Sequence, residues 1–127
     1  MPGSAKYEYQ CKVVRFLDGD TLDVLIDLGF HVSLRQRVRV YTLDCRETRT
    51  TNVEEKTLGL GDKAHAENLL PVDTVVNIRS YKDGFQNEKY GRWLASITMP
   101  DGRDFSATMI ENGHGKEYFG GVRRTWY

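Results

Sequence analysis

Apolar and polar residues alternate through the first third of the chain, a pattern typical of half-buried β-strands. Segment 7–17 is rich in β-branched and aromatic residues, and the turn-forming pair Asp18-Gly19 follows it. Strict alternation returns in 22–26 and again in 32–43. The pattern therefore predicts three consecutive strands.

The rest of the chain mixes helical and strand patterns. The predicted elements are a helix over 61–70, a strand over 74–81, a loop over 82–90, a strand over 92–98 and a helix from Asp104 to Gly113. The first helix ends at Pro71, which has no amide hydrogen to donate, and we interpret Gly59 and Gly61 as turn glycines. Short strands mixed with two or three short helices predict an α+β fold, in which a five-stranded Greek-key barrel leaves few open sheet edges.

Length and composition favour one compact domain. The chain has 127 residues, of which 39% are hydrophobic, so we expect a single domain over 1–127 with a flexible tail at 1–6. No apolar run approaches the ~20 residues that cross a membrane, and the start lacks the apolar core of a secretory signal, so a cytoplasmic protein is expected. Cys11 and Cys45 lack the spacing of a metal or redox motif, and we expect reduced thiols.

The formal charges balance, with 18 Lys and Arg residues against 18 Asp and Glu residues. A polyanionic partner would therefore have to be attracted by a local basic patch rather than by the field of the whole molecule. The candidate patches are the stripe Arg35, Arg37 and Arg39 on one face of the third predicted strand, and the cluster Lys116, Arg123 and Arg124.

Three groups of residues carry potential chemistry. Asp20 shares the parity of the apolar residues in 22–26, although taken alone it is best interpreted as a turn residue that bonds its own backbone. The second group is Arg39, Asp44, Cys45, Arg46 and Glu47, for which a surface salt-bridge patch is the better interpretation in isolation. The third is the basic turn at 89–92. Together they offer acids for a hard cation, a base, and arginines whose planar guanidinium suits a phosphate.

The order and spacing of four motifs resemble those of the staphylococcal nuclease family. The motifs are DGDT at 18–21, RVRVYTLDCRE at 37–47, KYGR at 89–92 and GHGKEY at 113–118. The resemblance implies an OB-fold barrel and a calcium-dependent nuclease without sequence preference, acting on DNA and RNA to give 3′-phosphate and 5′-hydroxyl ends. The ending, 118–127, is similar to that of short bacterial or phage members, so a complete short chain is expected.

The resemblance also implies a role for individual residues. It assigns catalysis to Arg39, Glu47 and Arg92, Ca²⁺ binding to Asp20, Asp44 and the backbone carbonyl of Cys45, and substrate binding to Lys89, Tyr90 and Tyr118. The two acids and the carbonyl would give oxygen ligands to one Ca²⁺. The glutamate would act as general base on the attacking water, and the two arginines would hold the scissile phosphate.

Three positions depart from the family pattern. Cys45 stands where threonine is usual, Arg46 where proline is usual, and Gly120 where a second tyrosine is expected. Because the implied ligand at position 45 is a carbonyl, the cysteine should be tolerated. Loss of the proline is expected to loosen the turn that presents Glu47, and loss of the tyrosine to weaken base stacking.

Strict alternation conflicts with one implied contact. It puts Arg39 and Asp44 on opposite faces of the same strand, so the resemblance requires a bulge or sharp twist between them.

Two other classes of protein remain as alternatives. One is a catalytically silent OB module that binds single-stranded nucleic acid or a protein partner, and the other is an unrelated barrel whose charges only cover its surface. The presence of every implied acid and arginine favours the nuclease. If the chain is a nuclease, we expect it to act on single-stranded DNA and RNA and, less readily, on duplex DNA. We also expect a monomer that does not associate with a membrane.

Overall fold

A computed structural model describes residues 7–81 and 93–118. Its elements are β1 (Glu8–Asp18), β2 (Thr21–Asp27), β3 (Ser33–Val40), β4 (Thr42–Asp44), α1 (Val53–Leu69), β5 (Val75–Ser80), β6 (Trp93–Thr98), α2 (Phe105–Glu111) and β7 (Lys116–Tyr118). Five strands form a closed barrel in the order β1-β2-β3-β6-β5, and β4 pairs with β7 in a separate two-stranded sheet. The predicted five-stranded α+β barrel is therefore confirmed, and the tail at 1–6 and the loop at 82–90 lie outside the described residues.

The barrel core is built from alternate residues of its strands. Val13, Val24 and Ile97 are almost completely buried, as expected for side chains that all point to one face of their strands. Helix α2 adds Phe105 to this core, where its ring lies 5.7 Å from the ring of Phe16. Burial of such large side chains is the main favourable contribution to folding.

The third predicted strand, 32–43, is wrong as a single element. β3 ends at Val40, and the chain turns at Tyr41 and Thr42, whose φ is +69°. β4 then leaves the barrel to pair with β7. This break is the bend that the resemblance required, because it brings Arg39 and Asp44 into contact although their positions in one regular strand would separate them.

Helix α1 begins at Val53, eight residues before the predicted start. The side chain of Asn52 accepts a hydrogen bond from the amide of Glu55 at 2.9 Å, which satisfies one of the free amides of the first turn. The interpretation of Gly59 and Gly61 as turn glycines is therefore wrong, since both lie inside the helix. No helix within the described residues has the length and apolar character that would span a membrane.

A cluster of arginines surrounds Asp23 on the outer face of β2. The carboxylate is 4% exposed, and it accepts hydrogen bonds from Nε of Arg15 at 3.0 Å, Nη2 of Arg35 at 3.3 Å and Nε of Arg37 at 2.9 Å. Burial raises the pKa of Asp23, but the hydrogen bonds from the three guanidiniums outweigh it and lower the pKa to about 2. The carboxylate thereby connects β2 to both neighbouring strands.

We predict that this carboxylate makes folding sensitive to acid. Its folded pKa of about 2 lies below the ordinary value of 3.8, so its contribution is complete at neutral pH and is lost as the pH falls through the range from 4 to 2. Asp23→Asn should lower the free energy of unfolding by about 1–2 kcal/mol at pH 7, because it removes the charge that the three arginines stabilise. The loss is smaller than the pKa shift alone implies, since the arginines are exposed and solvent screens their charges. Urea unfolding at several pH values should show this difference vanish near pH 2; a difference independent of pH would contradict the prediction.

Candidate active site

Two buried carboxylates and one guanidinium meet where β2 begins and β4 ends. Asp20 and Asp44 are 3% and 0% exposed, and Arg39 is 6% exposed. Nη2 of Arg39 lies 3.3 Å from Oδ1 of Asp44 and 3.7 Å from Oδ2 of Asp20. The two carboxylates thus lie close to the same guanidinium in a buried place, where charged groups need partners of opposite sign.

Asp20 is more than a turn residue. It accepts hydrogen bonds from the amide of Cys45 at 2.9 Å and from the hydroxyl of Thr21 at 3.0 Å. Burial raises the pKa of Asp20, the guanidinium of Arg39 and the Cys45 amide lower it, and the nearby Asp44 raises it again, with a raised pKa as the result. A bound cation would offset the burial and the charge of Asp44, which both disfavour the ionised form of Asp20.

The oxygen atoms of this site fit a hard cation better than a soft one. Among residues 7–81 and 93–118, no three His, Cys, Asp or Glu side chains gather as metal ligands, so the two carboxylates would need main-chain oxygen, substrate and water beside them. Calcium accepts such a set, because it takes about six to eight oxygen ligands in flexible geometry. The residues present therefore fit Ca²⁺.

The thiol of Cys45 is unsuited to be a ligand or a nucleophile. Its Sγ is buried and donates to the carbonyl of His114 at 3.2 Å. Burial, and then the negative charge of Asp20, raise the pKa of the thiol far above its usual range. Because only the thiolate is reactive, position 45 can contribute through its main chain alone.

The segment that follows Asp44 is held by carboxylates that accept its amide hydrogens. The amide of Cys45 is bound by Asp20 at 2.9 Å, that of Arg46 by Asp62 at 3.2 Å and that of Thr48 by Asp18 at 3.0 Å. We call residues 45–48 the site loop. Its conformation is thus fixed from three directions, and hydrogen bonds to charged acceptors are stronger than neutral ones.

Arg46 restrains the site loop in place of the usual proline. Its Nε and Nη2 lie 2.9 Å and 2.7 Å from the two oxygens of Asp62, a bidentate pair whose carboxylate is fully buried. Nδ1 of His114 also lies 3.0 Å from Asp62. The ion pair counteracts the loosening that was expected at Glu47, and sequence reasoning missed it because no local pattern links Arg46 to Asp62, 16 residues away.

Helix α1 touches the site loop directly at Gly59. A Cβ atom built on Gly59 would overlap the backbone carbonyl of Glu47. Gly19 approaches similarly, since its Cβ would lie 2.9 Å from Sγ of Cys45. These close approaches restrain the main chain at Glu47, and Glu47 itself is exposed to solvent.

Tyr118 reaches the site through the small sheet. It pairs with Thr42 in the β4-β7 ladder, and its ring lies 4.9 Å below the guanidinium carbon of Arg39, a cation–π contact. The structure therefore brings together Asp20, Arg39, Asp44 and the backbone of Cys45, with Tyr118 beside them. The predicted site residues Lys89, Tyr90 and Arg92 lie outside the described residues.

Comparisons with known proteins identify a family for most of the chain. A family model described as "Staphylococcal nuclease homologue" matches residues 37–125, a range that begins two residues before Arg39 and includes the site loop. The chain is also similar to "Endonuclease YhcR" of Bacillus subtilis (strain 168), with 28% identity over 123 residues that cover 93% of this chain. The chain spans only 10% of the length of that protein.

We predict opposite effects of alanine at two glycines of α1. Gly59→Ala should lower the free energy of unfolding by about 1–3 kcal/mol, because the added methyl group overlaps the Glu47 carbonyl. Gly61→Ala is the matched control: no atom lies within 4 Å of its Cβ position, so it should raise stability by about 0.5–1 kcal/mol through helix propensity. Denaturant unfolding measures both, and stabilisation by both would exclude a close contact between helix and loop.

Proposed function

Because this chain belongs to the family of staphylococcal nuclease homologues, we propose that it is a nuclease that hydrolyses phosphodiester bonds. The observation that carries the proposal is the buried group of Asp20, Arg39 and Asp44, from which the restrained site loop with Glu47 leads on along the chain. Such a group can bind a cation, a phosphate oxygen and water at one place. The endonuclease title of the Bacillus subtilis relative supports the same class of reaction.

Calcium is the proposed cofactor. Asp20 and Asp44 would hold it through carboxylate oxygens, together with the carbonyl of Cys45. When bound, the ion would supply positive charge to the phosphate and make a coordinated water more acidic.

Glu47 is the proposed general base. Its side chain is exposed while its main chain is fixed, so it can meet water with little reorganisation. It would take the proton of the water that attacks phosphorus, while the bond from phosphorus to the 5′-oxygen breaks. The products of that cleavage are a 3′-phosphate and a 5′-hydroxyl.

Arg39 is the proposed phosphate ligand among the described residues. Only its Nη2 is engaged in the contacts with Leu43, Asp44 and Asp20, and a guanidinium has five N–H donors. Its charge would stabilise the negative charge that grows on the phosphate oxygens in the transition state. Arg92 is the proposed second arginine.

Single-stranded DNA and RNA are the proposed substrates, with duplex DNA cleaved less readily by a monomer. The ring of Tyr118 lies beside Arg39, the proposed phosphate ligand, and an aromatic ring next to a phosphate contact is typical of proteins that bind single strands. Lys89 and Tyr90 are proposed to flank the terminal phosphate. Contacts to phosphate and stacking do not distinguish between sequences, which supports cleavage without sequence preference.

We predict that cleavage needs both calcium and Glu47. A single-stranded DNA labelled with a fluorophore and a quencher should give a signal with Ca²⁺ and none with a chelator. Glu47→Gln should lower kcat on the order of 10²- to 10⁴-fold, since the amide cannot accept the proton. Glu67→Gln, an exposed acid in α1, is the matched control and should be as active as the unaltered chain. Binding without cleavage under every divalent ion would contradict the proposal and identify a silent OB module.

We also predict that calcium stabilises the fold through the two acids. At a Ca²⁺ concentration 100 times Kd, binding to the native state contributes about 2.7 kcal/mol, which should raise Tm by several degrees. Asp44→Asn should abolish the rise, and Asp23→Asn, which changes an acid away from the site, should retain it. A rise that survives Asp44→Asn would place the ion elsewhere.

A further inference from the structure

The arginines around Asp23 share the face of β3 that carries Arg39. Arg37 and Arg35 lie two and four residues before Arg39, and side chains at alternate positions of a strand point the same way. Arg15 joins them from β1, where it is paired with Asp23. The three guanidiniums converge on the carboxylate of Asp23, on the sheet face that continues away from the buried site. We call Arg15, Arg35 and Arg37 the arginine row.

The arginine row carries more positive charge than Asp23 can balance. Three guanidiniums meet one carboxylate, whose pKa of about 2 shows that it is already ionised at neutral pH. Lys12 lies opposite Leu25 on the same face and adds to the excess. Asp27, four residues beyond Asp23, has the same parity and marks the end of the patch that is far from the site. In a chain of zero net charge, such an excess is a local attraction for an anion.

The side chains of the arginine row are held in place by Asp23 and are still exposed to solvent. The side chains of Arg15, Arg35 and Arg37 are 57%, 58% and 39% exposed. The shortest bonds to Asp23 use Nε of Arg15 and Arg37, and a guanidinium has four further N–H donors on its terminal nitrogens. Side chains that are already held in place lose less entropy when they bind a ligand.

We propose that the arginine row binds phosphates of the substrate strand outside the scissile bond, and thereby holds long single strands at the site. The proposal rests on the nuclease function proposed above. A phosphate backbone fits because it is a polyanion, the three exposed guanidiniums outnumber the one carboxylate they contact, and a guanidinium fork binds two phosphate oxygens. The row therefore serves affinity for long strands and leaves the chemical step to the buried site.

Substrate length separates this role from a purely structural one. A dinucleotide has one phosphodiester bond, so it has no second phosphodiester to place on the row while that bond occupies the site. A strand of 12 nucleotides can do both. Loss of an arginine that only stabilised the fold would affect both substrates alike, whereas loss of a phosphate contact affects the long strand alone.

The test is the steady-state kinetics of Arg35→Gln and Arg37→Gln on a dinucleotide and on a 12-nucleotide DNA. Each substitution leaves Asp23 with two arginines, so the barrel should fold. For the 12-mer, we expect KM to rise roughly 5- to 10-fold with kcat unchanged, as for loss of one charge-assisted bond. The slope of log KM against log salt should fall by about 0.7 per arginine. For the dinucleotide, kcat/KM should change less than twofold.

Arg103→Gln is the matched control. Arg103 is also an exposed arginine bound to an aspartate, with Nε 2.7 Å from Oδ2 of Asp101, but it lies in the turn between β6 and α2. Its substitution should leave both substrates and the salt slope unchanged. Equal effects of Arg35→Gln on both substrates, or no effect on the 12-mer, would overturn the proposal.

Failure of the proposed function gives a different result. A chain that cleaves neither substrate in Ca²⁺ refutes the nuclease, and the row is then tested by fluorescence anisotropy of the labelled 12-mer. Weaker and less salt-dependent binding by Arg37→Gln than by Arg103→Gln would keep the row as a binding site. Identical binding by the two variants would show that the arginine row is not a binding site either.

Discussion

The carboxylates of Asp18, Asp20 and Asp62 that accept amide hydrogens from residues 45–48 are the interaction on which the site depends. They come from the end of β1, from the turn before β2 and from α1, so three separate parts of the chain must be in place before the site loop has one conformation. Glu47 owes its position to that loop, as does the main chain of Cys45. An acceptor that is charged and removed from water holds an amide more strongly than a neutral one at the surface.

The same barrel separates its charges by depth. The acidic pair of the site is buried, and one guanidinium is shared between its two members. On the outer sheet face, guanidiniums outnumber carboxylates: one buried carboxylate contacts three exposed guanidiniums. A chain with no net charge can thus offer a place for a cation and a place for anions, because interactions at close range depend on local charge and little on the total.

Sequence reasoning predicted what depends on local pattern and missed what depends on contacts between distant segments. The barrel strands follow from alternation, and the cap at Asp104 from residue chemistry. The break after Val40 is absent from the pattern, since Thr42 takes a positive φ, which threonine rarely adopts, and pairs with the distant β7. The two glycines of α1 misled the prediction because glycine normally disfavours helices, and only the fold reveals that one of them is needed for contact with the loop. Asp62 carried no local signal at all.

The pair of Arg46 and Asp62 limits what each of these positions can become. Proline at position 46 would remove a bidentate partner and one amide donor, leaving a fully buried carboxylate with His114 as its remaining partner among the contacts described for it. The residue that the family resemblance led us to expect at position 46 would therefore be harmful in this chain. Positions 46 and 62 are energetically coupled, because the loss of either partner leaves the other without its ion pair.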